Sequence, residues 1–258
     1  MKYTICEQLY KNPSIHCASL VVTQNFATTN DGRFDFAKPS DDLRNGTLTF
    51  VKSDGKVFGI TCWHVIEHYR SQIDKSGNLD SHSMRTMVNG FYFVLDRFVR
   101  PKPQMGMPNL DIAIRELRPD FPLAIGKIPI DLDQNNNLPQ RISYGYAIGF
   151  PETMKYRIQE NTGFRVSMPQ VEILAELQAV PTGRFTMFSE IDNIPENIDY
   201  SGMSGGPIFW STSEHYGMLG IVYEGGKGAE LSNKSIYVFG ELATAEVIKE
   251  WIAQVPLR

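Results

Sequence analysis

Tyr200-Ser201-Gly202-Met203-Ser204-Gly205-Gly206-Pro207-Ile208-Phe209 is the most chemically pointed stretch of the chain, a serine between glycines that runs directly into an apolar segment. Acyl transfer needs an exposed hydroxyl beside backbone N–H groups that can receive a developing oxyanion. Glycine at 202 lets the chain turn so that two amides converge, and glycines at 205 and 206 leave room for substrate. A glycine-rich turn between strands has the same composition, so the rest of the chain decides between the two.

Two other segments supply partners. Gly59-Ile60-Thr61-Cys62-Trp63-His64-Val65 ends an apolar strand with a histidine, a base held rigidly at a strand end. Asn109-Leu110-Asp111-Ile112-Ala113-Ile114 places an acid just before an apolar strand, where it can be buried while accepting a bond from imidazole. Alone, the histidine is an ordinary core or surface residue and the aspartate an ordinary strand cap. Together they set the order His, Asp, Ser, all at strand boundaries.

In that order, and in the flanking segments Gly46-Thr47 to Gly59-Ile60, Gly145-Tyr146-Ala147-Ile148-Gly149-Phe150-Pro151 and Gly220-Ile221-Val222, the chain resembles the trypsin-like (chymotrypsin-fold) serine peptidases, especially bacterial-type members without disulfides. The resemblance spans residues 44 to 240. It implies an all-β chain of two six-stranded antiparallel β-barrels with the site between them. His64 is then the general base, Asp111 its orienting acid and Ser204 the nucleophile, with the backbone amides of Gly202 and Ser204 as oxyanion hole. Protein or peptide is the implied substrate, and neither metal nor organic cofactor is needed. Secreted relatives carry an acid where this chain has Met203, which pairs with a newly cut amino terminus. Met203 cannot do so, which leaves two expectations: a constitutively formed hole, or an activating protein partner or ligand that arranges the loops.

Specificity is open at this stage. Ile198 or Asp199 falls near the floor of the primary pocket, and Tyr223-Glu224-Gly225 lies on the strand that borders the substrate. An acid at Asp199 or Glu224 favours a basic residue before the scissile bond, Ile198 an apolar one, and acids pointing into solvent favour neither.

The remaining sequence agrees with an all-β reading. Short β-type runs alternate with turn residues, and Asp54-Gly55 between Thr47–Lys52 and Val57–Thr61 reads as a hairpin turn. Further strands are expected at 91–94, 111–117, 142–150, 163–168, 184–189, 207–210, 218–223 and 235–239, with about one helical turn at 65–69. Polar 71–82 and Asn-rich 131–139 read as loops. Val247, Ile248, Trp251, Ile252 and Val255 make one apolar stripe, so a C-terminal α-helix is expected over 243–255, ended by Pro256. The expected organisation is an N-terminal segment 1–43, a first barrel core 44–117, a linker 118–128, a second barrel 129–242 and that helix.

Lys and Arg number 25 against 29 Asp and Glu, a net charge of -4, which gives no reason to expect nucleic acid or an anionic membrane as partner. The start has no apolar leader run and no window reaches the ~18 apolar residues of a membrane span. Three cysteines without CxxC spacing fit a reducing compartment, and a cytoplasmic location is expected.

Three rival readings remain. His64-Val65-Ile66-Glu67-His68 fits H-x-x-E-H, a zinc-peptidase pattern, but it leaves the serine segment unexplained and lacks an obvious third ligand. Gly202-Met203-Ser204-Gly205-Gly206 fits the esterase pattern G-x-S-x-G, which fails on chain order and spacing: only His215 follows the serine, no aspartate does, and the one acid between them, Glu214, adjoins the histidine. A catalytically silent binding module on the same scaffold is the third.

Overall fold

The computed structural model describes residues 4–24, 45–76, 82–86, 92–93, 97–103, 109–134, 138–160, 163–179, 183–190, 200–227 and 235–256. Helix α1 (Glu7–Lys11) and a 3-10 turn (Pro13–His16) lead into β1 (Cys17–Gln24), followed by β2 (Asn45–Ser53), β3 (Lys56–Thr61) and α2 (Trp63–Ser76). Strands β4 (His82–Thr86), β5 (Tyr92–Phe93) and β6 (Ala113–Leu117) precede α3 (Phe121–Ala124) and β7 (Ile130–Asp131). The second half comprises β8 (Tyr144–Gly149), β9 (Tyr156–Glu160), β10 (Gly163–Ser167), β11 (Val171–Ala179), β12 (Arg184–Glu190), β13 (Pro207–Ser211), β14 (Tyr216–Lys227), β15 (Ser235–Leu242) and α4 (Ala245–Ile252).

The first sheet has the order β5-β4-β1-β2-β3-β6, with β7 parallel to β2. The second is a closed barrel, β11-β12-β15-β14-β13-β8. Closure of two six-stranded barrels was the expectation; the second unit closes, whereas the first is an open sheet among the described residues. This sheet also begins before residue 44, since Cys17 of β1 pairs with Thr49 of β2. It takes in β7 from beyond the expected linker, with Ile130 beside Val51. The reason is burial: Ala18, Leu20, Leu48, Phe50 and Ile60 exclude solvent completely and belong to one core.

The β2–β3 hairpin turns at Asp54 and Gly55, both at positive φ (49° and 76°), as the right-handed twist of the strands demands. Helix α2 runs to Ser76, so it is longer than the single turn expected and takes up part of the 71–82 loop. Helix α4 is capped by Thr244, whose side chain accepts from the Val247 amide. Its Ile248 and Trp251 are buried, with Val247, Ile252 and Val255 packed beside them.

Candidate active site

The chain from β3 runs straight into α2, so Trp63 and His64 stand at a helix start whose N–H groups lack intrahelical partners. Asp111 serves them from 47 residues away. Its Oδ1 accepts from the His64 amide at 2.9 Å, its Oδ2 lies 2.5 Å from His64 Nδ1, and its carbonyl accepts from the Trp63 amide at 3.2 Å. One carboxylate thus caps the helix and aligns the imidazole. A carboxylate only accepts, so Nδ1 carries the proton between them, and in the neutral ring Nε2 is then the acceptor.

Ser204 lies on the loop between Tyr200 and β13. Six consecutive carbonyls of this loop are occupied. Tyr200 O accepts from the Met203 amide, Ser201 O from the Glu152 amide, Gly202 O from Thr47 Oγ1, Met203 O from the Gly206 amide, Ser204 O from the Thr47 amide and Gly205 O from Thr49 Oγ1, at 2.7–3.1 Å. The Gly205 amide donates to Val222 O at 2.7 Å. Among the described residues, the amides of Gly202 and Ser204 donate to no protein acceptor. Gly202 has φ +95°, and a Cβ there would stand 2.5 Å from Asn45 Nδ2 and 2.7 Å from Phe150 O, so only glycine fits.

The two halves of the site abut. Cys62, two residues before His64, donates its thiol to Val222 O at 3.1 Å. A Cβ on Gly46 would stand 2.8 Å from the Val65 side chain of α2 and 3.4 Å from Ser204 O. Strand β14 bulges between Val222 and Glu224, so that Tyr223 is the extra residue. Its carbonyl, re-aimed by the bulge, accepts the Ser204 Oγ hydrogen bond at 3.1 Å. The structure therefore joins His64 to Asp111 by hydrogen bonds and leaves the Ser204 hydroxyl on Tyr223 rather than on His64.

Of the remaining site candidates, Ile198 and Asp199 lie outside the described residues. Glu224 is exposed, and the Tyr223 ring is half-buried beneath the Arg184 guanidinium, 4.6 Å from its centroid. Gly225 continues β14 opposite Val238. As to zinc, Glu67 is engaged by Trp63 Nε1 at 2.6 Å, and the ligand-type atoms clustered with His64 among the described residues belong to Cys62 and Asp111, not His68. Burial, reinforced by the Asp111 carboxylate, pushes the Cys62 thiol well above its ordinary range, which keeps it a protonated donor to Val222.

Sequence reasoning missed Asn45, Thr47 and Thr49, whose side chains hold the serine loop and Phe150. Their polar alternation along β2 was visible, but not which way that face points. It also missed Arg184 and Glu241. Glu241 is buried on β15, and Arg184 Nε donates to its Oε2 at 2.8 Å while Arg184 Nη2 reaches Asn109 O at 3.3 Å. Burial raises the Glu241 carboxyl, and the arginine partly offsets this.

No family model and no curated protein matches the chain by sequence. Among solved structures, it is similar to a thermostable serine protease, AL20, from an extremophilic microorganism, at 13% identity and TM-score 0.50, over 94% of this chain and 98% of that one. Two others are similar at lower TM-score. They are protease Anisep from Arthrobacter nicotinovorans (13% identity, 96% and 95% covered, TM-score 0.45) and a human pathogenic astrovirus serine protease (14%, 88% and 89%, 0.38). Taken with the closed barrel, the second sheet and the terminal helix, the likeness to AL20 shows that this chain has the fold of the chymotrypsin-type serine peptidases.

Proposed function

We propose that the chain is a serine endopeptidase acting through an acyl-enzyme, with protein or peptide as substrate. In this reading the first sheet is the first barrel of the pair and the cleft between it and the second barrel receives the substrate. Ser204 Oγ attacks the scissile carbonyl carbon while its proton passes to His64 Nε2. The C–N bond breaks as that proton moves to the leaving amine, and water then repeats the sequence to free the acid. Asp111 holds the imidazole in the required tautomer and stabilises its charged form. The Gly202 and Ser204 amides receive the oxyanion. To act, the Ser204 hydroxyl gives up its bond to Tyr223 O and donates to His64 instead.

The supporting observation is the pairing of Asp111 with His64 beside a loop whose carbonyls are all engaged and whose amides at 202 and 204 are not. A fluorophosphonate probe, which needs an activated serine, tests it. The native chain is expected to be labelled and Ser204→Ala not; equal labelling, or none, favours a silent binding module on the same scaffold. Loss of activity to a chelator in a chain that resists the probe would point to zinc chemistry instead.

A further inference from the structure

We infer that the oxyanion hole is assembled permanently by strand β2 and the Glu152 amide, so that the site needs neither processing nor an activating partner. The inference rests on the peptidase reading above and concerns how that site is regulated. It begins with the alternation along β2. Leu48 and Phe50 face the core of the first sheet, so Asn45, Thr47 and Thr49 share the other face, and all three are buried. That face is turned onto the serine loop. Thr47 donates its amide to Ser204 O and its hydroxyl to Gly202 O, and Thr49 donates its hydroxyl to Gly205 O. Asn45 Nδ2 donates to Phe150 O at 2.6 Å, and the Phe150 amide donates back to Thr47 Oγ1 at 3.3 Å. Thr61 Oγ1 in turn holds Thr47 O at 2.8 Å. The strand thereby fixes both the serine loop and the 150–152 segment that meets it.

Peptide planarity converts these bonds into amide directions. In a trans peptide, a carbonyl and the following N–H point opposite ways. With Ser201 O committed to the Glu152 amide, the Gly202 N–H must point away from Glu152. With Met203 O committed to the Gly206 amide, the Ser204 N–H must point away from Gly206. Reversing the Ser201–Gly202 peptide would bring two N–H donors face to face at Glu152 and cost a hydrogen bond. The surrounding contacts allow little else: a single added carbon at Gly202 would collide with Asn45 and Phe150, and one at Gly205 would stand 2.1 Å from Thr47 O. The bonds to Glu152 and from Thr47 span separate segments of chain, so no local rearrangement of the loop releases them.

Glu152→Pro removes the amide that holds Ser201 O. Pro151 is already extended (ψ 139°), as a residue before proline should be, and position 152 opens a 3-10 turn, where proline is tolerated. Glu152→Ala is its comparison, since it keeps the amide and loses only the carboxylate that pairs with Lys155. The purified chain, with nothing added, is expected to react with a fluorophosphonate. Glu152→Pro should react about 10²-fold more slowly than Glu152→Ala, with KM for a peptide substrate shifted far less than kcat. Thr47→Val should fall similarly and Thr47→Ser should recover. Hydrogen exchange reads the same clamp without catalysis: the Met203, Gly205 and Gly206 amides should exchange faster in Glu152→Pro and Thr47→Val than in the wild type. Labelling that appears only after proteolysis or addition of another protein, or equal rates for the proline and alanine variants, overturns the inference. A chain that is never labelled, yet shows the exchange difference, upholds the clamp and removes the peptidase reading instead.

Discussion

Asp111 shows how one side chain can serve two purposes: one oxygen takes the backbone amide of His64, the other its ring. A histidine elsewhere follows the opposite logic. His16 is buried, with Nδ1 donating to Ile128 O at 2.7 Å and Nε2 accepting from Tyr216 Oη at 2.8 Å. Both bonds suit the neutral ring. Burial, with the Lys127 cation adding to it, lowers the His16 pKa to about 4, despite the opposing bond to Ile128. The unfolded chain binds a proton near pH ~6.5 and the folded chain does not until about 4, so folding loses stability as pH falls through this window. The loss attributable to His16 is expected to reach ~3 kcal/mol at its lower end. Urea denaturation of wild type and His16→Gln across the window measures it, and parallel curves would refute it.

At the scale of elements, a positive φ has different consequences according to what surrounds it. Gly55 and Gly205 both have positive φ, 76° and 92°. A Cβ on Gly55 would meet nothing within 4 Å, whereas one on Gly205 would meet Thr47 O and Thr61 Oγ1 at 2.1 and 2.4 Å. Gly55→Ala should therefore cost about 1 kcal/mol, the strain alone. Gly205→Ala should cost more than ~3 kcal/mol, because β2 and β3 must separate from the serine loop. Chemical denaturation of the two variants gives the comparison, and equal costs would mean that the strand and loop yield easily. Element identity was only partly legible in the sequence. Asp54-Gly55 and the stripe through Ile248 and Trp251 announce themselves, because turn chemistry and periodicity are local. Val171–Ala179 (VEILAELQA) is rich in helix formers and is not among the expected strands, yet forms β11 between β8 and β12. There the neighbouring strands override local preference.

Over the whole molecule, Arg184 on the barrel reaches across to the Asn109 carbonyl, two residues from Asp111, while pairing with Glu241. The Arg184 side chain is 29% exposed and that of Glu241 only 3%, so removing the arginine strands a buried carboxylate. Arg184→Met is expected to destabilise by about 3 kcal/mol, and adding Glu241→Leu should recover most of that loss. Denaturation midpoints of the single and double variants test this; a single variant as stable as wild type would show that water replaces the guanidinium. The sequence by itself determined the order His64, Asp111, Ser204 and their nearness to β3, β6 and β13, because glycine spacing, apolar runs and turn residues are written locally. Only the tertiary structure decided that the first sheet begins at Cys17, that Asp111 caps the His64 helix, and that the face of Asn45, Thr47 and Thr49 closes on the serine loop. Each of these joins residues distant in the chain, and a strand's own sequence specifies its two faces without specifying what either will meet.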